Sequence, residues 1–202
     1  MSLTAYRDIS IVTPVSIDED PEAVQELVST ILLDGSVAEI RVMTQGDGLS
    51  FPLGVNEKLI VRQQSDPRAK KTGALNDGLR AARAPFVLFI DSDVLLRGDE
   101  IGIAREALED ADFVSANYGW RPAQFPIVSF FSGWFSGCRT NTFRDIGGFV
   151  NDPIEDVATS QKIKRSGYKI KMLPFSVSLR RPVRNPVVKG LGVLQAFMGH
   201  RQ

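Results

Sequence analysis

The chain has 202 residues, 43% hydrophobic and 24% charged, with a mean hydropathy of −0.05; this is the composition of one soluble globular domain with enough apolar material for a core. Its 24 basic and 24 acidic residues cancel, and the single cysteine, Cys138, excludes an internal disulfide and a CxxC metal cluster. MSLTAYRDIS lacks the charged start, apolar centre and cleavage site of a signal peptide, and no run approaches the ~20 apolar residues of a membrane-spanning helix, so a cytoplasmic protein is expected.

In chain order, Ile9 to Val15 (ISIVTPV) reads as a strand and Pro21 opens a helix, PEAVQELVSTILL, with Val24, Leu27, Val28, Ile31 and Leu32 at helical spacing. Ile40 to Thr44 and Leu59 to Arg62 read as two further strands. Lys70 to Arg83 reads as a helix with Ala74, Leu75, Leu79 and Ala82 inward, stopped by Pro85. FVLFI (86–90) is a buried strand running into Asp91, followed by a helix over Ile101 to Leu108 and a strand over Asp112 to Ala116. Short continuous apolar runs alternating with helices predict an α/β fold, a mostly parallel central sheet with helices on both faces. No repeat appears, and ligands of such sheets sit beyond the carboxyl ends of the strands.

There the sequence places Asp91-Ser92-Asp93. In extended geometry residues two apart share a side, so both carboxylates can face one site, and they repel unless a cation lies near. Oxygen ligands favour Mg²⁺ or Mn²⁺, completed by water and substrate phosphate. The alternative that the spacing leaves open is a turn in which Asp91 caps the next segment. An acidic pair after an apolar strand also resembles the haloacid dehalogenase phosphatases, but there the motif follows the first strand and carries Thr or Val where Leu95 stands here.

Lys71-Thr-Gly-Ala-Leu-Asn76, then the strand, then Asp91-Ser-Asp93 resembles the metal-dependent, nucleotide-sugar-using glycosyltransferases of family 2. Gly147-Gly148-Phe149, Glu155-Asp156 and Gly167-Tyr168 continue that resemblance in order, over about residues 9–172. The resemblance implies a single GT-A (Rossmann-like) domain with a donor half (1–97), an acceptor half (98–185) and a C-terminal helical tail (186–202). It also implies a hexosyltransferase-like, inverting, non-processive enzyme using Mn²⁺ or Mg²⁺, a nucleoside-diphosphate sugar and a glycan, protein or lipid acceptor, with no nucleic-acid partner. Asp93 would be the principal metal ligand, with Asp91 supporting the metal or the ribose beside Ser92. Thr13, Pro14 and Val15 would line the base pocket, Gly73 and Asn76 would lie near the nucleotide, and Asp156 would be the base, with Glu155 beside it nearer the acceptor. Two departures stand out. Val15-Ser16-Ile17 replaces the family's Tyr-Asn-Glu-like triplet, and Thr44-Gln45-Gly46-Asp47-Gly48 replaces Asp-Asp-Gly-Ser, leaving Gln45 or Asp47 to reach the base. The Gln-x-x-Arg-Trp motif of processive synthases is absent.

Locally, Asp152-Pro153-Ile154-Glu155 reads as a helix start, with Asp152 the cap, Pro153 first and Glu155 closing a capping box. Asp156 in that first turn is expected to stay ionised beside the positive helix end. The aromatic run Ile127 to Phe135 reads as core or as a wall over the acceptor, with Trp134 and Trp120 as acceptor candidates. Cys138 reads as a buried small hydrophobe. His200, the only histidine, is either a late metal ligand or an idle tail residue. No acid follows Asp156, while ten Lys and Arg do; this basic tail suggests diphosphate attraction or peripheral membrane contact, or a solvated surface. The other classes open are a non-catalytic nucleotide-binding or interaction module on the same fold and a sugar-phosphate nucleotidyltransferase. The latter normally needs a glycine-rich basic loop where TPVSIDEDP stands.

Overall fold

The alternating apolar strands sort their side chains onto two faces of one sheet. In the computed structural model, which describes residues 7–45, 56–118 and 130–180, Ile9, Ile11 and Val15 of β1 (Ile9–Val15) face one core and Val12 faces the other. Likewise Phe86, Leu88 and Ile90 of β4 (Phe86–Ile90) go to the first core, and Val87 and Phe89 to the second. This period of two with both faces apolar is what a sheet covered on both sides requires.

The remaining strands are β2 (Val37–Thr44), β3 (Leu59–Gln63), β5 (Val94–Leu95), β6 (Phe113–Tyr118), β7 (Phe135–Arg139) and β8 (Ile170–Leu179). The sheet order is β3-β2-β1-β4-β7-β6-β8-β5. β1 pairs in parallel with β2 and β4, β2 with β3, and β6 with β8; β7 lies antiparallel between β4 and β6, and β5 antiparallel to β8. The architecture is therefore the expected mostly parallel α/β sheet, with β4 central.

Helices α1 (Pro21–Leu32) and α3 (Glu100–Ala107) cover the first face through Val24, Leu27, Val28, Ile31, Ile101 and Ala104. Helices α2 (Lys70–Ala81), α4 (Thr140–Asp145) and α5 (Glu155–Arg165) cover the second through Ala74, Leu75, Leu79, Phe143 and Ile163. On that second face Phe89, Phe113, Phe131, Phe143 and Phe149 meet edge to face, a geometry worth about 0.5–1.5 kcal/mol per pair beyond the burial itself. Gly78 lets α2 approach β1, since a Cβ there would run into Val12.

Two sequence expectations change. Asp152 is not the cap of α5. Its Oδ1 accepts the Ile154 N–H at 2.8 Å in a separate turn, and the helix begins only at Glu155, with Ile154 in the cap position and no side-chain cap bond. Pro153 therefore precedes the helix, and Asp152 and Glu155 form no capping box. Of the two readings open for Asp91-Ser92-Asp93, the turn replaces the extended one: the Val94 N–H donates to the Asp91 carbonyl at 3.1 Å, which closes a turn between β4 and β5.

Candidate active site

The turn after β4 is pinned on both sides. The Asp91 N–H donates to the Trp134 carbonyl at 3.0 Å, and the Arg180 N–H donates to the Asp93 carbonyl at 2.8 Å. β5 adds its pairing with the end of β8, Val94 against Leu179. Ser92 is buried between the two acids. The aspartates thus stand at the carboxyl end of a central strand, on a backbone tied to β7 and β8.

Lys71, in the first turn of α2, reaches this turn. Its Nζ lies 2.6 Å from Asp91 Oδ2 and 3.5 Å from the Gly133 carbonyl. The residue before it, Lys70, holds φ +49°, the one positive φ outside glycine among the described residues, so the helix is entered through a strained step.

Asp156 arrives from α5. The Ser160 hydroxyl donates to the Asp156 carbonyl at 2.6 Å and accepts the Phe131 N–H at 2.9 Å. A second serine bond, Ser132 N–H to Ser115 Oγ at 3.0 Å, ties the same segment to β6. Segment 130–134 is thereby held against the start of α5, and Gly133 marks the meeting point. A Cβ at Gly133 would stand 2.8 Å from Lys71 Nζ and 2.9 Å from Asp156 Oδ1.

The electrostatics follow from this crowding. Burial disfavours the Lys71 ammonium, but the carboxylates of Asp91 and Asp156, with Glu155 behind them, outweigh it and hold its pKa above the usual lysine range. Burial pushes the Asp91 carboxyl up; Lys71 pulls it back, and Asp93 and Glu155 push it further up. The Asp156 carboxyl is pushed up to about 7, first by burial and then by Glu155 and Asp91, against the pull of Lys71 and the Gly133 N–H. Asp156 is therefore not the permanently ionised helix-start acid that the sequence suggested. Desolvation exceeds the help of the helix terminus. Asp91 Oδ1 and Asp156 Oδ1 are both buried without a hydrogen-bond partner among the described residues.

The other expected site residues divide. Thr13, Pro14 and Val15 end β1, and the Thr13 hydroxyl is buried with no partner among the described residues. Gln45 follows β2 and donates its N–H to the Val15 carbonyl at 3.0 Å, so it stands beside them. Asn76 instead gives both ends of its amide to the Phe149 backbone, and Gly73 packs on the turn before α2, its Cβ position 2.7 Å from Ala69 Cβ. These two residues of the motif are thus engaged by the scaffold around α2. Trp134 is half-buried against the first core. Cys138 is buried, and burial raises its thiol well above the ordinary value. Asp47, Trp120, His200 and the basic tail beyond Arg180 lie outside the described residues.

Lys71 was visible in the sequence only as the first letter of a motif. Its partner is twenty residues away, and no local pattern marks a lysine at a helix start as a counter-ion. Among the described residues, no helix is long and apolar enough to cross a membrane.

Residues 51–147 match the sequence model of Glycosyl transferase family 2. No curated protein matches the chain in sequence. Solved structures do match. The mannosyltransferase PcManGT from Pyrobaculum calidifontis, in complex with GDP-Man and Mn²⁺, has a TM-score of 0.71 at 20% identity, covering 88% of this chain and 58% of its own. Glucosyl-3-phosphoglycerate synthase from Mycobacterium tuberculosis, in complex with Mn²⁺, UDP-Glc and phosphoglyceric acid, gives 0.64 at 18% identity, covering 96% and 80%. The 4-diphosphocytidyl-2C-methyl-D-erythritolsynthase of Anaerococcus prevotii gives 0.64 at 12%, covering 93% and 98%. The chain thus spans little more than half the length of the mannosyltransferase. Fold and family match agree: the chain has the GT-A fold, and its residues 51–147 are similar to those of family 2 glycosyltransferases.

Proposed function

We propose that the chain is a divalent-cation-dependent glycosyltransferase that moves a sugar from a nucleoside diphosphate to an acceptor hydroxyl in one inverting, non-processive displacement. The observation that carries this reading is the convergence of Asp91 and Asp156 on Lys71 beside Gly133, at the carboxyl end of the central strand. The mannosyltransferase and the phosphoglycerate enzyme are complexed with GDP-Man or UDP-Glc and Mn²⁺, which supports a nucleoside-diphosphate sugar as donor here.

Asp91 and Asp93 suit Mn²⁺ or Mg²⁺. They offer hard oxygens, and Asp91 Oδ1 is buried and unpartnered among the described residues. Among those residues no group of three or more His, Cys, Asp or Glu is arranged to hold a metal. Donor phosphate and water would complete the shell of a cation held by these carboxylates. A cation bound there supplies positive charge against the charge growing on the departing diphosphate.

Asp156 accepts the proton of the acceptor hydroxyl, and a carboxyl near 7 is well matched to that task at neutral pH. As the hydroxyl oxygen bonds to the anomeric carbon, the bond from that carbon to the diphosphate breaks on the opposite face. The centre inverts through an oxocarbenium-like state. Glu155 stands at the acceptor side of Asp156, and Thr13, Pro14, Val15 and Gln45 line the base pocket.

Nucleotidyl transfer shares the fold, but the loop after β1 does not offer a phosphate cradle. Asp20 occupies the N-terminus of α1, its Oδ1 accepting the Glu22 N–H at 3.0 Å, where a phosphate would otherwise bind. A thermal-shift screen of UDP-, GDP- and TDP-sugars with and without Mn²⁺ tests the reading, followed by transfer assays on the responding donor. Cation-dependent stabilisation by one donor supports it. No response to any donor favours a non-catalytic module on the same fold.

A further inference from the structure

Lys71 stands where a cation would. Its ammonium contacts Asp91 Oδ2 directly, and it feels the charges of Asp156 and Glu155 as well. The side chains of Lys71 and Asp91 are only 31% and 14% exposed, so solvent weakens this attraction little. Arg180 reaches the same turn with its backbone N–H, but its guanidinium is paired with Glu26. Lys71 is thus the positive group in direct contact with the Asp91 carboxylate.

We infer that Lys71 is a built-in counter-ion that competes with the divalent cation for the Asp91–Asp93 turn, so that the cation binds firmly only when a donor diphosphate draws the ammonium away. This rests on reading that turn as the cation site. The ammonium at 2.6 Å from one oxygen of Asp91 already compensates the carboxylate charge, and a divalent cation on either oxygen would be repelled by that adjacent positive charge. A diphosphate offers the ammonium an equivalent anionic partner, so donor and cation each raise the affinity for the other. In the empty protein the pair also keeps the half-buried acids compensated, which lets the site stay folded without metal.

The test is a titration with Mn²⁺ alone, followed by calorimetry and by thermal shift on the full chain. Lys71→Gln keeps a hydrogen-bond donor for Asp91 and removes the charge. It is expected to bind Mn²⁺ at least ~10-fold more tightly than the wild type in the absence of nucleotide, and to gain more thermal stability from it. Lys71→Arg, which keeps the charge, should bind as weakly as the wild type. If Lys71→Gln does not fold, Lys71→Met refolded with and without Mn²⁺ gives the same reading, with recovery required to depend on the cation. Equal or weaker Mn²⁺ affinity in the uncharged variant overturns the inference, and so does refolding indifferent to Mn²⁺. Because no sugar donor is used, a failed donor screen beside a tightened Mn²⁺ response would discard sugar transfer and keep the counter-ion.

Discussion

The side-chain amide of Asn76 accepts the Phe149 N–H at 2.8 Å and donates to the Phe149 carbonyl at 3.0 Å, joining α2 to the loop that leads into α5. Both Phe149 backbone groups depend on this one side chain. Asn76→Ala should therefore cost about 1–3 kcal/mol, read as a lowered urea midpoint at unchanged slope. Asn76→Asp keeps the acceptor but turns a carboxylate toward the Phe149 carbonyl, so it should be destabilising as well. A wild-type midpoint in Asn76→Ala would show that the clamp carries no weight.

Gly148 and Gly167 separate backbone strain from steric clash. Both hold positive φ, +64° and +88°. At Gly148 a methyl group would run into Asn76 Oδ1, whereas at Gly167 nothing lies within 4 Å. Gly167→Ala should cost only the left-handed backbone term, about 1–2 kcal/mol. Gly148→Ala should cost about 1 kcal/mol more than that, because it also disturbs the Asn76 clamp. Equal losses in the two variants would mean that the loop shifts freely around the added methyl.

Much of the scaffold was legible because period and length decide it. ISIVTPV and FVLFI are short, predominantly apolar and bounded by turn residues, and both became strands over the expected residues. Ala74, Leu75, Leu79 and Ala82 lie at helical spacing and are all buried. β7 escaped notice because Phe-Ser-Gly-Cys-Arg has no sustained alternation. It is a strand through its antiparallel register with β4, Phe86 against Arg139 to Ile90 against Phe135, which is a non-local fact. The acids of the site were visible as a spacing, but their environment was not. The protonation behaviour of Asp156 depends on Lys71 and Gly133, 85 and 23 residues away in the chain. Asn76, read beside the nucleotide, is taken up by the backbone of a loop 73 residues on.

Gly133→Ala should separate activity from stability. The added methyl would meet Lys71 Nζ at 2.8 Å and Asp156 Oδ1 at 2.9 Å. Both are ends of side chains that can move aside, so folding should lose less than about 1 kcal/mol. The displaced groups are those to which the proposed reaction assigns proton transfer and charge compensation, and shifts of that size cost up to ~10²-fold. We expect transfer to fall by at least ~10-fold with a nearly unchanged melting temperature. Wild-type turnover in this variant would show that the positions of Lys71 and Asp156 are not coupled to the reaction.

Asp156 makes opposite predictions for rate and stability. As a base it must be ionised, so kcat/KM of the wild type should rise with pH through about 7, the value to which burial, Glu155 and Asp91 lift it. Asp156→Asn should lower transfer by at least ~10²-fold and abolish that rise while leaving nucleotide binding in place. For stability the sign reverses. Between the ordinary carboxyl value of 3.8 and about 7, the folded protein retains a proton that the unfolded chain has released. Stability attributable to this group therefore falls as pH rises across that window, and levels off above it. Asp156→Asn has no such proton to lose. Its melting temperature, compared with that of the wild type, should gain from pH 4 to about pH 7 and then hold level, by about 2–4 °C for each kcal/mol relieved. A constant difference across that range would mean that Asp156 ionises in the folded protein as readily as in the unfolded chain, and the rise of kcat/KM through about 7 would then belong to another group.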